Sequence, residues 1–179
     1  MSHISNLRRN SNDSFPDFVI IYETTDPDNP DEQEKLETEL ELAFQRQVAH
    51  IIIEPFTLGK DTARWIKMGN FLHKSCVVSG IISLITGYCN KDLVSYTFAG
   101  VSFLTAGLYA LSWASDPCCK YQIEKNKRRI QDLPLHELSS TSVVVLVRRD
   151  DARRKYLQNI VSFSAVCLSA YKVYNMYYL

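Results

Sequence analysis

Val94-SYTFAGVSFLTAGLYALS-Trp113 is a stretch of twenty residues without a charged side chain, and it decides the fold. As an α-helix it would measure about 30 Å, the thickness of the hydrocarbon core of a bilayer. Tyr96 and Trp113 lie near its ends, where aromatic rings favour the membrane interface. A buried core helix is the alternative, but so short a chain has little protein with which to surround twenty apolar positions. The stretch therefore predicts a membrane helix over 94–115.

A second uncharged run, Ser75–Tyr88, precedes this stretch and is fourteen residues long. The run is short for a span, but Lys74 can extend its side chain to the interface, and the helix can begin earlier, near Phe71 or even near Trp65. Partial insertion as a wedge is the alternative. Only the four turn residues 89–92 and Leu93 separate the two runs, which indicates a tight turn between antiparallel helices. We predict a first membrane helix and turn over 64–93, with both soluble flanks on one side of the membrane.

Small residues recur at helical spacing along both runs. In lipid, small side chains let two helix backbones approach closely, although such residues are also common in membrane helices generally. We predict that the face on which the two helices, or two copies of the protein, pack is formed by Ser79, Ser83, Ala106 and Ala110. Self-association is expected from the same pattern.

The flanking segments predict a small sheet. Phe18–Tyr22, Ile51–Ile53 and Val143–Val147 are β-branched or apolar runs, and a charged helix that starts near Pro30 separates the first two.

The fold class is therefore an α+β membrane protein with a central two-helix transmembrane hairpin, a small three-strand α/β soluble part and a C-terminal amphiphilic helix. The remaining segments are a disordered lead at 1–17, a strand-helix-strand part at 18–63, a basic juxtamembrane segment and strand at 116–149, and the amphiphilic helix at 150–179.

The C-terminal segment begins with a basic run, Arg148–Lys155, and continues as an apolar stretch, Ile160–Leu179, that contains four tyrosines. A basic start before a tyrosine-rich amphiphilic helix suits a membrane surface. Lys172 interrupts the apolar stretch after twelve residues. The segment therefore favours contact with the membrane surface, or packing on the small sheet, over a third crossing of the bilayer.

The composition gives no indication of catalysis. Twenty basic and twenty acidic residues balance, so a general affinity for nucleic acid is not expected. The four histidines are scattered, the five cysteines lack paired spacing, and no nucleotide-binding, hydrolase or metalloprotease motif is present. We expect no enzyme activity, cofactor or metal. Asp116–Cys119 is interpreted as a helix terminator, with a redox pair, a lipidation site and part of a metal site as the alternatives.

Three stretches together resemble the mitochondrial transmembrane protein eleven family. They are Ile51-IIEPFTLGKDTARWIKMGNFLH-Lys74, Ser112-WASDPCCKYQI-Glu124 and Leu133-PLHELSSTSVVVLVRRDDARRKYLQ-Asn159, in this order around the hydrophobic hairpin. The resemblance implies a multi-pass protein of the mitochondrial inner membrane that is needed for mitochondrial morphology and cristae organisation, with the outer membrane as the alternative location. It implies no enzyme activity. Its implied partners are the lipid bilayer and mitochondrial membrane proteins such as the cristae-organising complex.

The resemblance also supplies motif residues. Arg64, Lys74 and Lys120 are interpreted as headgroup anchors and Trp65 as an interface residue. The full set of family-motif and membrane-anchor candidates is Glu54, Pro55, Arg64, Trp65, Lys74, Asp116, Pro117, Cys118, Cys119 and Lys120. Three functions follow as hypotheses: a membrane-shaping scaffold, an adaptor or assembly factor that stabilises another membrane complex or receptor, and, as the least favoured, an oxidoreductase or metal carrier that uses the two adjacent cysteines.

Overall fold

The computed structural model describes residues 18–22, 29–126 and 143–178. The expected disordered lead, residues 1–17, lies outside them, as do residues 127–142 of the expected basic juxtamembrane segment. The chain divides into two compact units. The sheet unit contains the residues up to Ile66 and Lys120–Arg149, and the helical unit contains Lys67–Cys119 and the residues from Asp150 onward.

Four short strands form the sheet of the sheet unit. They are β1 (Phe18–Ile21), β2 (His50–Ile53), β3 (Tyr121–Ile123) and β4 (Val144–Arg148), in the order β1-β2-β4-β3. β1 is parallel to β2, whereas β4 is antiparallel to both β2 and β3. The three predicted strands therefore share one sheet, which confirms that part of the prediction.

The fourth strand, β3, was not predicted. It has three residues, Tyr121–Ile123, and lies at the edge of the sheet, where Tyr121 is paired with Arg148. The prediction placed these residues in a basic juxtamembrane segment, because three residues are too few to show a strand pattern. The strand depends on hydrogen bonds to β4, which is distant in sequence.

Helix α1 (Pro30–Gln45) links β1 to β2. The Asn29 side chain accepts a hydrogen bond from the Asp31 amide, and proline occupies the first turn, as the sequence predicts. Leu40, Ala43 and Phe44 are the buried face of the helix. The apolar stripe therefore packs inward, while the opposite face is acidic and exposed.

Tyr121 connects α1 and the sheet. Its ring centroid lies 5.0 Å from that of Phe44. Its hydroxyl donates a 2.7 Å hydrogen bond to the Val48 carbonyl, and both groups are buried. The segment between α1 and β2 is thus fixed by a side chain from the edge strand.

Three long helices complete the described fold: α2 (Phe56–Tyr88), α3 (Asp92–Ser112) and α4 (Ala152–Tyr178). Helix α2 begins at Phe56, directly after Pro55, rather than at the predicted Arg64, and the helix tolerates Gly59 in its first turns. The Gly59 amide already donates to the Pro55 carbonyl at 2.9 Å. Between α2 and α3 the chain reverses in a tight turn, in which Asn90 takes the left-handed backbone conformation (φ 57°).

Tyr121→Phe should lower the free energy of unfolding of the sheet unit by about 1–2 kcal/mol, since the buried Val48 carbonyl loses its donor while the ring packing is retained. Urea-dependent pulse proteolysis of the detergent-solubilised full-length chain measures this change. The matched control is Tyr22→Phe, because Tyr22 is exposed. An equal effect of the two substitutions would show that the buried hydrogen bond contributes nothing.

Candidate functional site

The helical unit brings α2 and α3 together along faces of small residues. Cys76, Gly80, Ser83 and Gly87 on α2 are buried at spacings of four, three and four, and Ser79 beside them is buried as well. The buried positions on α3 are Ser95, Ala99, Ser102 and Tyr109, at spacings of four, three and seven. Such spacing is typical of helix pairs that cross at a shallow angle.

Serine hydroxyls hydrogen-bond across this contact. Ser83 Oγ donates to the Ser95 carbonyl at 2.8 Å, and Ser95 Oγ donates back to the Ser83 carbonyl at 2.9 Å. Farther along, Ser102 Oγ donates to the Cys76 carbonyl at 2.9 Å. The three serines are fully buried, so each hydroxyl finds its partner within the protein rather than in solvent.

Glycines on α2 allow the closest approach of the helices. A Cβ atom added at Gly80 would lie 2.5 Å from Val161 Cγ1 on α4 and 2.9 Å from Ser102 Oγ on α3. At Gly87 it would lie 2.8 Å from Leu168 Cδ2, also on α4. No larger residue fits at these positions without displacing a neighbour. All three helices therefore meet at Gly80 and again at Gly87, where the added Cβ would also lie 2.9 Å from Ser95 Oγ on α3.

Helix α4 packs against the hairpin through polar side chains. Its Gln158 Oε1 lies 2.9 Å from His73 Nδ1 on α2. Near its C-terminal end, Lys172 Nζ lies 2.5 Å from Asp92 Oδ1. The sequence favoured the membrane surface or the small sheet as the neighbour of this segment, and the structure instead places it against α2 and α3. Sequence reasoning missed this contact because the polar side chains that form it read as interruptions of an apolar run.

The outer surface of the helical unit is apolar. Leu111 is 82% exposed and Phe163 is 72% exposed, and further large exposed side chains on these helices are Phe71, Val78, Ile81, Ile85, Phe103, Leu104 and Leu108. In a water-soluble protein the large apolar side chains are inside and the small polar ones outside. In the helical unit serines are buried and most large apolar side chains are exposed, although Leu72, Tyr109 and Trp113 form a small buried apolar cluster. Among the described residues, α2 and α3 are the two helices long and apolar enough to cross a membrane.

The predicted packing residues divide into two groups. Ser79 and Ser83 are buried, and Ala106 is half-buried. Ala110 is exposed, because the buried face of α3 continues through Tyr109 instead. The prediction that Ala110 contacts another copy of the protein remains a prediction.

The anchor candidates before the hairpin also lie in different environments. Arg64, Trp65 and Lys74 are exposed along α2, which leaves them available to a membrane interface. Glu54 and Pro55 are buried in the sheet unit, directly after β2. The anchor role of Arg64 and Lys74 and the interface role of Trp65 stay predictions, and Glu54 and Pro55 remain candidates as family-motif residues.

The segment after α3 forms a 3₁₀ helix, Pro117–Lys120. Asp116 Oδ1 accepts a 2.8 Å hydrogen bond from the Cys118 amide, which starts this turn. The Cys118 side chain is buried, and burial, with the nearby Asp116 carboxyl and Cys119, raises the pKa of the Cys118 thiol to about 12. The thiol is therefore protonated at neutral pH.

Cys119 belongs to a cluster with Asp151 and Lys155. Its Sγ donates to Asp151 Oδ2 at 3.2 Å, and Lys155 Nζ lies 2.7 Å from the same carboxylate oxygen. Burial raises the pKa of the Cys119 thiol, and the hydrogen bond to Asp151 raises it further. Burial alone would raise the pKa of Asp151, but the hydrogen bonds from Lys155 and Cys119 outweigh it and hold that pKa below its usual value. Asp151 is thus ionised, and Cys119 is a protonated donor.

This cluster is unsuited to thiol chemistry, because the thiolate is the nucleophile and the metal ligand. No group of three or more His, Cys, Asp or Glu side chains in the described part of the chain is placed to hold a metal ion. Cys119 and Asp151 are 32 residues apart, so nothing in the local sequence links them. The sequence signal that could have located part of this cluster is the four-residue spacing of Asp151 and Lys155, which is typical of an ion pair within one helical turn.

Comparison with known proteins identifies relatives of the whole chain. A family model described as "Mitochondrial morphogenesis regulator" matches residues 17–174. The chain is 41% identical over 162 residues to "Transmembrane protein 11, mitochondrial" of Danio rerio, covering 88% of this chain and 86% of that protein. It is 39% identical over 168 residues to the Homo sapiens protein of the same name, covering 92% and 86%. No solved structure matches. The coverage and identity show that this chain belongs to the mitochondrial morphogenesis regulator family.

Proposed function

We propose that this protein is a non-enzymatic scaffold that inserts into the mitochondrial inner membrane and shapes it, and that mitochondrial morphogenesis and cristae organisation require it. The family description and the names of the relatives support a mitochondrial membrane location and a role in mitochondrial morphology. The observation that carries the proposal is the reversed polarity of the helical unit, whose serines are buried while Leu111 and Phe163 are exposed. A surface of this kind is stable in lipid and would aggregate in water.

The contacts around Gly80 explain how such a unit would act on a membrane. Helices that pack through glycine and serine form a narrow and rigid body, since their backbones lie close together and few side-chain rotamers remain free. If the cross-section of the inserted rigid unit differs from that of the surrounding lipid, the lipid must rearrange around it and the bilayer changes shape. Several associated copies would add their effects on the shape of the bilayer. The exposed Ala110 is a candidate contact for this self-association.

The second function is an adaptor or assembly factor for another mitochondrial membrane complex or receptor, such as the cristae-organising complex. The exposed acidic face of α1 favours it, because an acidic face on a soluble unit can bind a basic partner. Its exposed residues include Asp31, Glu34, Glu37 and Glu41. The outer membrane is the alternative location in either case. Protease protection on intact and outer-membrane-ruptured mitochondria distinguishes the two membranes.

Gly80→Leu should insert into mitochondrial membranes and resist alkaline carbonate extraction, but it should fail to restore normal morphology in cells that lack the protein. The added side chain would meet Val161 and Ser102, so it forces the three helices apart while hydrophobicity is retained. Light microscopy of the mitochondrial network and electron microscopy of cristae measure the rescue.

The matched control is Gly100→Leu, because a side chain at Gly100 meets nothing within 4 Å. This variant should insert and rescue like the natural chain. If both variants rescue equally, the packing of the helices has no part in the function. Recovery of the natural chain mainly in the carbonate-soluble fraction would refute insertion itself.

The purified full-length chain should tubulate or bud liposomes of inner-membrane lipid composition, and Gly80→Leu should do so at least several-fold less at equal protein-to-lipid ratio. Negative-stain electron microscopy measures the fraction of deformed vesicles. Undeformed vesicles, together with stable co-purification of one membrane complex from mitochondria, would replace the scaffold with the adaptor. Charge reversal at Glu34 and Glu37 should then abolish that co-purification.

Replacement of both Cys118 and Cys119 by serine should leave insertion, abundance and morphological rescue within about twofold of the natural chain, since serine keeps a donor for Asp151 and neither protonated thiol is suited to chemistry. Immunoblotting and network imaging measure these quantities. Loss of rescue at normal abundance would instead assign redox chemistry, lipidation or metal binding to the pair.

A further inference from the structure

Helix α4 has the same reversed polarity as the hairpin. Its buried positions are Gln158, Ser162 and Ala165, of which Gln158 is 2% exposed. Its exposed positions between Lys155 and Lys172 are almost all apolar or aromatic: Tyr156, Leu157, Asn159, Ile160, Phe163, Cys167, Ala170 and Tyr171. The hairpin therefore covers the polar positions of the helix together with Val161 and Leu168, and the large apolar and aromatic side chains such as Phe163 are left outside.

This arrangement excludes two environments for α4. A helix lying on a membrane surface keeps its polar face in water, but here that face is occupied by α2 and α3. A helix of a soluble domain buries its apolar face, but Phe163 points outward. Only a surrounding of lipid hydrocarbon satisfies both faces at once.

The two lysines of α4 match the two ends of α3. Lys155 Nζ donates to the Ala114 carbonyl at 3.2 Å, just beyond the C-terminal end of α3. Lys172 Nζ pairs with Asp92, the first residue of α3. The intervening part of α4 therefore runs beside the whole of α3, over about 26 Å at 1.5 Å per residue. If α3 crosses the bilayer, α4 crosses it too.

We propose that α4, although its sequence is less apolar than that of α2 and α3, is a third transmembrane helix, because its polar side chains face the hairpin and its apolar face is an interaction surface for lipid acyl chains. It carries the C-terminal residues to the membrane side on which the hairpin turn lies, opposite the side of Ser115. This proposal rests on the insertion of the hairpin proposed above. Tyr156 and Tyr171 then lie at the two interfaces, where tyrosine rings are favoured. Lys172 is shielded by its pairing with Asp92 at the end of the span.

The exposed cysteines of the natural chain provide a direct test. Cys89 lies in the hairpin turn and Cys167 lies on the apolar face of α4, and both are exposed on the protein. A membrane-impermeant charged maleimide, read out residue by residue with peptide mass spectrometry, should label Cys89 in permeabilised mitochondria. Cys167 should be labelled at least tenfold less there, and fully after denaturation in SDS. Because no residue in the described part of this chain covers Cys167, its protection is expected to come from lipid acyl chains, and equal labelling of the two cysteines before denaturation would overturn the proposal.

Two added cysteines test the sidedness. Met176→Cys reports on the end of α4 and Ser115→Cys on the opposite end of the helical unit, and both positions are exposed. In mitoplasts probed before and after permeabilisation, Met176→Cys should become reactive in the same step as Cys89, and Ser115→Cys in the other step. Reaction of Met176→Cys together with Ser115→Cys would overturn the third span. Reaction of Cys89 together with Ser115→Cys would instead refute the crossing of the hairpin.

Discussion

The structure of the helical unit depends on the close approach of helix backbones at Gly80. In a water-soluble bundle, helices associate because water is excluded from their apolar faces, and a gap between them is filled by large side chains. Lipid offers no such driving force, so association relies on dispersion contacts and hydrogen bonds that form only at short range. Gly80 creates that short range for α3 and α4 simultaneously. The reciprocal Ser83 and Ser95 hydrogen bonds are possible only because the backbones are already close.

The sheet unit uses the opposite chemistry. Ile51, Ile52, Ile53 and Leu146 are fully buried, and the charged residues of α1 are exposed, as expected for a domain that folds in water. Large apolar side chains are thus mainly buried in the sheet unit and mainly exposed in the helical unit. The share of apolar residues in the whole chain is therefore ordinary for a soluble protein, although the two units place those residues in opposite environments.

The elements that could be predicted from the sequence are those whose signal is local. The charge-free run at 94–113 predicted α3, and Asn29 with Pro30 predicted the start of α1. The elements that could not be predicted depend on partners distant in sequence. Strand β3 forms through its pairing with β4. The position of α4 depends on polar side chains such as Gln158, which by sequence alone argues against a membrane helix but has a hydrogen-bonding partner in His73. For the same reason, local spacing identified Ser83 as a packing residue but also included Ala110, which is exposed.

The polar face of α4 has a consequence for the order in which the protein is assembled. A helix that carries Gln158, Ser162 and Lys172 is poorly suited to enter hydrocarbon by itself, because each polar group would lose its water without gaining a partner. The hairpin supplies those partners, with His73 for Gln158 and Asp92 for Lys172. If the helical unit is inserted as proposed above, its assembly is expected to be sequential: α2 and α3 enter the membrane first, and α4 follows once its polar partners are in place. Without the hairpin, the polar groups of α4 would stay in water, and its aromatic face, which includes Phe163, would be exposed to water as well.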